Sequence, residues 1–164
     1  VLGETYSRVA KATALRISDV LNLTWRQLLS DKFDVHEKKT GKLRTITVSK
    51  KTHLVFNSLY RLNLSPDTES LVFFNRRSHK AYTKQYINRL MKEWKLKYAI
   101  EVGNFSSHSF RKSFGREYWE KNGCTDKALL MLSEIYNHSN TLVTRQYLGI
   151  RDKEISDAYQ IIDA

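Results

Sequence analysis

Two residues in Ser107-His108-Ser109-Phe110-Arg111 have side chains that could do chemistry together. His108 and Arg111 stand three apart, so on a helix they share a face. Arg presents a planar fork to phosphate oxygens, and His donates or takes a proton near neutral pH. A rigid helix carrying both suits an anionic substrate. A lone His-x-x-Arg is also what a solvated basic face looks like, so the pair gains meaning only from partners elsewhere. Four further polar residues are stranded where apolar segments meet, namely Arg16, Lys39, His138 and Tyr147.

The elements that must position these residues can be read from hydrophobic spacing. Phe110, Phe114 and Tyr118 recur at i, i+4, i+8 and predict the buried stripe of a helix that stops at Asn122-Gly123. Tyr6 to Leu15 reads as a helix with Val9 and Ala12 inward. Ser18 is then the expected N-cap of a short helix carrying Val20, Leu21 and Leu23, with Arg16 in the joint between the two. Between Lys32 and Lys50 the period changes. Phe33 and Val35, then Leu43, Ile46 and Val48, fit two strands of a hairpin whose tip is Lys38-Lys39-Thr40-Gly41-Lys42. Lysines at a hairpin tip protect an edge, and they can also lower an ammonium onto a phosphate.

Thr52 to Leu62 reads as a helix with Leu54, Val55, Leu59 and Leu62 inward, broken by Leu64-Ser65-Pro66-Asp67. Leu71 to Phe74 is a short apolar run, and Asn75-Arg76-Arg77 with Lys80 is a basic loop. Thr83 caps a helix whose stripe is Ile87, Leu90, Met91 and Trp94. Thr125 caps the next, with Leu129, Leu132 and Ile135 inside. Tyr136 to Asn140 is a turn, a short helix holds Tyr147 and ends at Gly149, and Ile155, Ala158, Tyr159 and Ile162 lie on one face of a last amphipathic helix. His36, His53 and His79 sit in polar surroundings and read as surface residues, and Cys124 reads as structural.

Composition narrows the partners. The 164 residues suffice for one domain with a real core, and 41% hydrophobic content marks a globular chain. With a single cysteine no internal disulfide is possible, which suits a reducing compartment. No apolar run reaches membrane-spanning length. Lys and Arg total 28 against 17 Asp and Glu, a net charge of +11. That excess in one compact domain points to a polyanion, most simply nucleic acid. The charge is spread along the chain, unlike a basic membrane-surface helix. The sequence has no Gly-rich phosphate loop, no His-Glu-x-x-His helix and no compact carboxylate cluster beside the histidines.

In order and spacing, these pieces resemble the catalytic domain of the tyrosine recombinase (phage integrase) family. The resemblance rests on Ala14-Leu15-Arg16-Ile17-Ser18-Asp19-Val20-Leu21-Asn22-Leu23, on Lys39-Thr40-Gly41, on His108-Ser109-Phe110-Arg111, and on Asn137-His138-Ser139, with Tyr147 nine residues after His138. It covers nearly the whole chain. Two departures stand out. Tyr136-Asn137 precedes the second histidine where relatives often have Leu-Gly, and Asp19 stands where they often have Glu. Asn tolerates the left-handed backbone that Gly supplies, so the turn should survive.

The resemblance implies an α+β fold, mainly helical with a small antiparallel sheet, and a catalytic domain over residues 1–164 without the family's N-terminal core-binding domain. It implies site-specific recombination or integration through a 3′-phosphotyrosyl intermediate, a reaction that requires no cofactor, ATP or metal. Arg16 and Arg111 would clamp the phosphate, His138 would add a donor, Tyr147 would attack, His108 would assist its proton, and Lys39 would protonate the leaving oxygen, with Lys38 and Lys42 as rivals. The implied partners are double-stranded DNA, copies of the chain forming a tetramer on DNA from a monomer, and accessory DNA-bending proteins. The expected setting is cytoplasmic, at the nucleoid of a bacterium or phage host. A catalytically silent DNA-binding module and a type IB topoisomerase are the rival readings.

Overall fold

A computed structural model describes residues 1–78 and 80–162. The chain forms two compact units, Val1–Arg111 and Lys112–Ala164.

The first unit opens with α1 (Leu2–Thr13), α2 (Ile17–Val20) and α3 (Trp25–Leu29), followed by the hairpin β1 (Lys32–His36) and β2 (Leu43–Thr47). The strands are antiparallel, with Phe33 opposite Ile46 and Val35 opposite Arg44. Next come α4 (Lys50–Leu62), a second small hairpin of β3 (Phe74–Asn75) and β4 (Lys80–Ala81), and α5 (Lys84–Lys97). α6 (Ser107–Lys121) runs across the division. α7 (Asp126–Tyr136), α8 (Thr141–Leu148) and α9 (Ile150–Ile162) complete the second unit. The fold is thus mainly helical with small antiparallel sheets, as the family resemblance implies.

The core of the first unit gathers Tyr6, Val9, Trp25, Leu28, Phe56, Phe73, Ile87 and Met91, all nearly or fully buried. Tyr6 meets Phe73 and Phe110 edge-on, with ring centroids 5.6 and 5.9 Å apart. Such pairs add about 0.5–1.5 kcal/mol each beyond the area they bury, and here they fix the start of α6. Burial also pushes the Tyr6 phenol above its ordinary range, so this ring packs and does not titrate in the working range.

Several expectations are revised. Ser18 is not the cap of α2. Arg16 occupies the N-cap in an extended conformation, and the Ser18 hydroxyl donates to Asp19 instead. The reason lies one step earlier. Ala14 ends α1 in the left-handed conformation, so the chain re-enters helix two residues sooner than the serine suggests. In α4 the buried face centres on Phe56 and Leu59, which leaves Leu54 and Leu62 exposed. His53 is half-buried, with Nε2 2.8 Å from the Leu29 carbonyl oxygen. Cys124 is exposed. His36 is exposed as expected, and His79 lies outside the described residues.

Candidate functional site

In the first unit the chemistry converges on the α1–α2 joint. The left-handed turn at Ala14, φ 51°, aims its carbonyl away from α1. That oxygen accepts from Arg111 Nη1 at 2.6 Å and from Arg44 Nη1 at 3.2 Å, while Arg44 Nη2 donates to the Thr13 carbonyl at 2.9 Å. Arg111 is 3% exposed. The expected shared face of His108 and Arg111 is therefore divided. Arg111 turns inward onto a backbone acceptor, and His108, in the first turn of α6, is exposed.

Arg16 sits two residues past Ala14. Its Nη1 lies 2.6 Å from Oε2 of Glu37, whose side chain is fully buried. Thr40 Oγ1 donates to the same oxygen at 2.9 Å, and Arg44 Nη1 stands 3.9 Å from Glu37 Oε1. Two arginines and a hydroxyl thus surround one buried carboxylate, the surroundings a charge needs away from water.

The same residue roots the lysine turn. The Glu37 N–H donates to the Lys42 carbonyl at 3.0 Å, and its carbonyl accepts from the Gly41 N–H at 2.8 Å. Gly41 has φ 68°, the left-handed value a glycine adopts freely. Asp19 reaches across to accept from the Lys38 N–H at 3.0 Å, so the shorter acid still supports the hairpin. Beyond this root Lys38, Lys39 and Lys42 are all exposed, and burial does not separate the three rivals.

Glu37 and Arg44 were missed by the sequence reading, although a signal existed. Phe33, Val35 and Glu37 occupy alternate buried positions, and Arg44, Ile46 and Val48 continue the inward register of the other strand. A carboxylate and a guanidinium in phase with the apolar face announce a buried ion pair.

The second unit holds the other two candidates. Asn137 closes α7 in the left-handed conformation, φ 53°, and the His138 N–H donates back to the Ser133 carbonyl at 2.9 Å. This is the turn expected to survive with Asn in place of Gly. His138 Nδ1 then lies 3.0 Å from the hydroxyl of fully buried Thr144. Asn140 caps α8 by accepting from the Val143 N–H, and α8 carries Tyr147 back to His138. The two rings are 5.3 Å apart at 73°. Tyr136 completes a three-ring cluster, 5.3 Å from His138 and 5.5 Å from Tyr147.

The Tyr147 hydroxyl is shielded from solvent. Over its ring stands the Lys112 ammonium, 5.3 Å from the centroid, a cation–π contact that sequence spacing did not flag. Gly115 backs the cluster. A Cβ there would collide with the Tyr136 hydroxyl and with Leu148.

Among the described residues no group of three or more His, Cys, Asp or Glu could hold a metal ion. No helix there is long and apolar enough to cross a membrane.

The chain is 26% identical over 150 residues to a probable integrase/recombinase, YoeC, of Bacillus subtilis (strain 168), covering 91% of this chain and 78% of that protein. Among solved structures it matches the XerA recombinase with a TM-score of 0.67 at 21% identity, covering 95% of this chain and 56% of the other. It matches a XerH site-specific recombinase bound to its palindromic difH substrate with the same TM-score at 17% identity, covering 98% of this chain and 45% of the other. The chain thus spans about half the length of these two solved recombinases, and the likeness to them is one of fold. The catalytic domain of bacteriophage HP1 integrase also matches, with a TM-score of 0.56 at 21% identity, over 95% of this chain and 79% of that one. The model of the Phage integrase family matches residues 4–154, and with nearly the whole chain inside that match, the protein belongs to the phage integrase family.

Proposed function

We propose that residues 1–164 form the catalytic domain of a site-specific recombinase that cleaves and rejoins DNA strands through a 3′-phosphotyrosyl intermediate. The Tyr147 oxygen attacks the scissile phosphorus, the new P–O bond replaces the bond to the 5′ oxygen, and a 5′ hydroxyl leaves. His108 assists removal of the tyrosine proton, and Lys39 supplies a proton to the leaving oxygen. Arg16 and Arg111 clamp the non-bridging oxygens, where charge builds in the transition state, and His138 adds a donor. Attack by a 5′ hydroxyl from a second strand reverses the step. The covalent link conserves the energy of the broken bond, so the cycle balances without ATP.

The observation that carries this reading is the pairing at the two ends of the chemistry. Arg111 donates to Ala14 in the three-residue joint that also carries Arg16, and Tyr147 lies edge-on to His138. The basic excess supports double-stranded DNA as the substrate, and the structurally similar XerH recombinase was solved bound to its palindromic difH substrate. The exposed Ile155, Tyr159 and Ile162 of α9 support assembly into a tetramer on DNA by docking that helix on a neighbour. A cytoplasmic, DNA-associated location follows from the same reading.

A substrate nicked beside the cleavage site tests it. Covalent protein–DNA should accumulate with the intact chain and vanish in Tyr147→Phe. DNA binding without covalent product would leave only a binding module, and supercoil relaxation without site preference would place the chain with the topoisomerases. DNA affinity should also fall steeply as salt rises, and a flat response would count against DNA.

A further inference from the structure

We infer that Glu37 is a positioning residue of the reaction, which fixes the Arg16 fork and ties it to the hairpin that delivers Lys39. The inference rests on the reading of Arg16 as a phosphate clamp, and it adds a residue to which the strand-exchange chemistry assigns no part.

The register that buries Phe33 and Val35 also drives Glu37 inward, and its side chain is completely buried. A carboxylate is costly there unless paired. Its Oε2 receives Arg16 Nη1 at 2.6 Å and Thr40 Oγ1 at 2.9 Å, and Arg44 Nη1 flanks the other oxygen at 3.9 Å. A short charge-assisted contact of this kind holds one arm of the guanidinium in place.

Glu37 is also where the Lys38–Lys42 turn is rooted, through its own N–H and carbonyl. Thr40, inside that turn, returns its hydroxyl to the same carboxylate oxygen that holds Arg16. One residue therefore joins two parts with different duties. Any swing of the turn that lowers Lys39 pulls on Thr40 and on the strand end at Glu37, and so on the oxygen that orients Arg16. The carboxylate makes setting of the phosphate clamp and arrival of the general acid one event.

A merely structural ion pair would hold β1 against the α1–α2 joint and do nothing else, and the test separates the two. Glu37→Gln keeps shape and an acceptor oxygen but removes the charge. The full chain and its variants are compared for single-turnover cleavage of the nicked substrate, for DNA affinity and for thermal midpoint. We expect Glu37→Gln to slow cleavage about 10- to 100-fold, the scale of a misplaced catalytic group, with DNA affinity near that of the parent and a lowered thermal midpoint that still leaves the chain folded at the assay temperature, because the buried pair loses its charge.

Two further measurements read the coupling. Arg16→Ala/Glu37→Gln should cleave no more slowly than Arg16→Ala. With a neutral methylphosphonate at the scissile position, the gap between parent and Glu37→Gln should shrink, because there is less charge for Arg16 to clamp. Parental cleavage by Glu37→Gln, multiplicative losses in the double variant, or an unchanged gap on the neutral substrate would each overturn the inference. Parental cleavage by Arg16→Ala would instead sink the clamp reading beneath it.

Discussion

The two regions that carry the candidate residues are held by different forces. Around the α1–α2 joint the groups are charged, buried and hydrogen-bonded, with Arg111 and Arg44 on the Ala14 carbonyl and Arg16 on Glu37. Around Tyr147 the contacts are ring against ring, with Tyr136 and His138 edge-on and the Lys112 ammonium above. Hydrogen bonds to charged groups are directional and cost most when one partner is removed. Ring contacts are weaker and tolerate rotation. The difference matches the chemistry proposed. A clamp for developing charge works best when nothing needs to reorganise, whereas a nucleophile has to travel to phosphorus and back.

The largest effect should come from Arg111→Lys. An ammonium cannot reproduce the fork, so cleavage should fall about 10²–10³-fold, the cost of losing one such donor. A melt should show a further loss of about 1.5–3 kcal/mol, since the bond to Ala14 is charge-assisted and buried. Cleavage near the parent level would break the contrast on the arginine side.

Gly115→Ala probes the ring side from behind. Its new methyl group meets the Tyr136 hydroxyl and Leu148, and overpacking of this kind costs about 1–3 kcal/mol. Hydrogen exchange should report the loss along α7 and α8 and leave β1 and β2 protected as before. Equal loss in both regions would mean that the two are not mechanically distinct.

Thr144→Val removes the hydroxyl beside His138 Nδ1 while keeping shape. Stability should drop about 1 kcal/mol, and the pH profile of cleavage should move, because the imidazole loses its hydroxyl partner. An unmoved profile would show that Thr144 only packs. Lys112→Met should be milder on stability, about 0.5–1 kcal/mol, the worth of a cation–π contact that keeps part of its hydration. The smallest change of all is expected for Asn137→Gly at the α7 end. Asn137→Ala should cost about 1 kcal/mol at φ 53° while Asn137→Gly does not, a difference that thermal melts can resolve.

The same contrast explains what could be read from the sequence. The β1–β2 hairpin and helices such as α1, α4, α5 and α7 followed from periodicity because each buries a face of its own, and Thr83, Thr125 and Gly149 mark boundaries where expected. Arg16, Lys39, His108, Arg111, His138 and Tyr147 were legible as types at a family's spacing. That Arg111 is buried while His108 is exposed was not, since the spacing i, i+3 says only that two residues are neighbours. The N-cap of α2 was misplaced because the left-handed turn at Ala14 carries no glycine to announce it. Glu37 was overlooked although its register was visible, because it adjoins Lys38 and Lys39 and reads as one more charge in a solvated turn.

The Ala14 carbonyl has a consequence for how this protein will respond to genetics. It is the acceptor shared by two guanidiniums, yet it belongs to the main chain, and no codon change deletes it. A saturation scan at position 14 reports only whether each side chain tolerates φ 51° in a fully buried spot, and so records a packing site. Replacing the Ala14–Leu15 amide with an ester by chemical ligation weakens the oxygen as an acceptor without altering either side chain. The anchor of the arginine side is thus invisible to a mutational map and open to backbone chemistry.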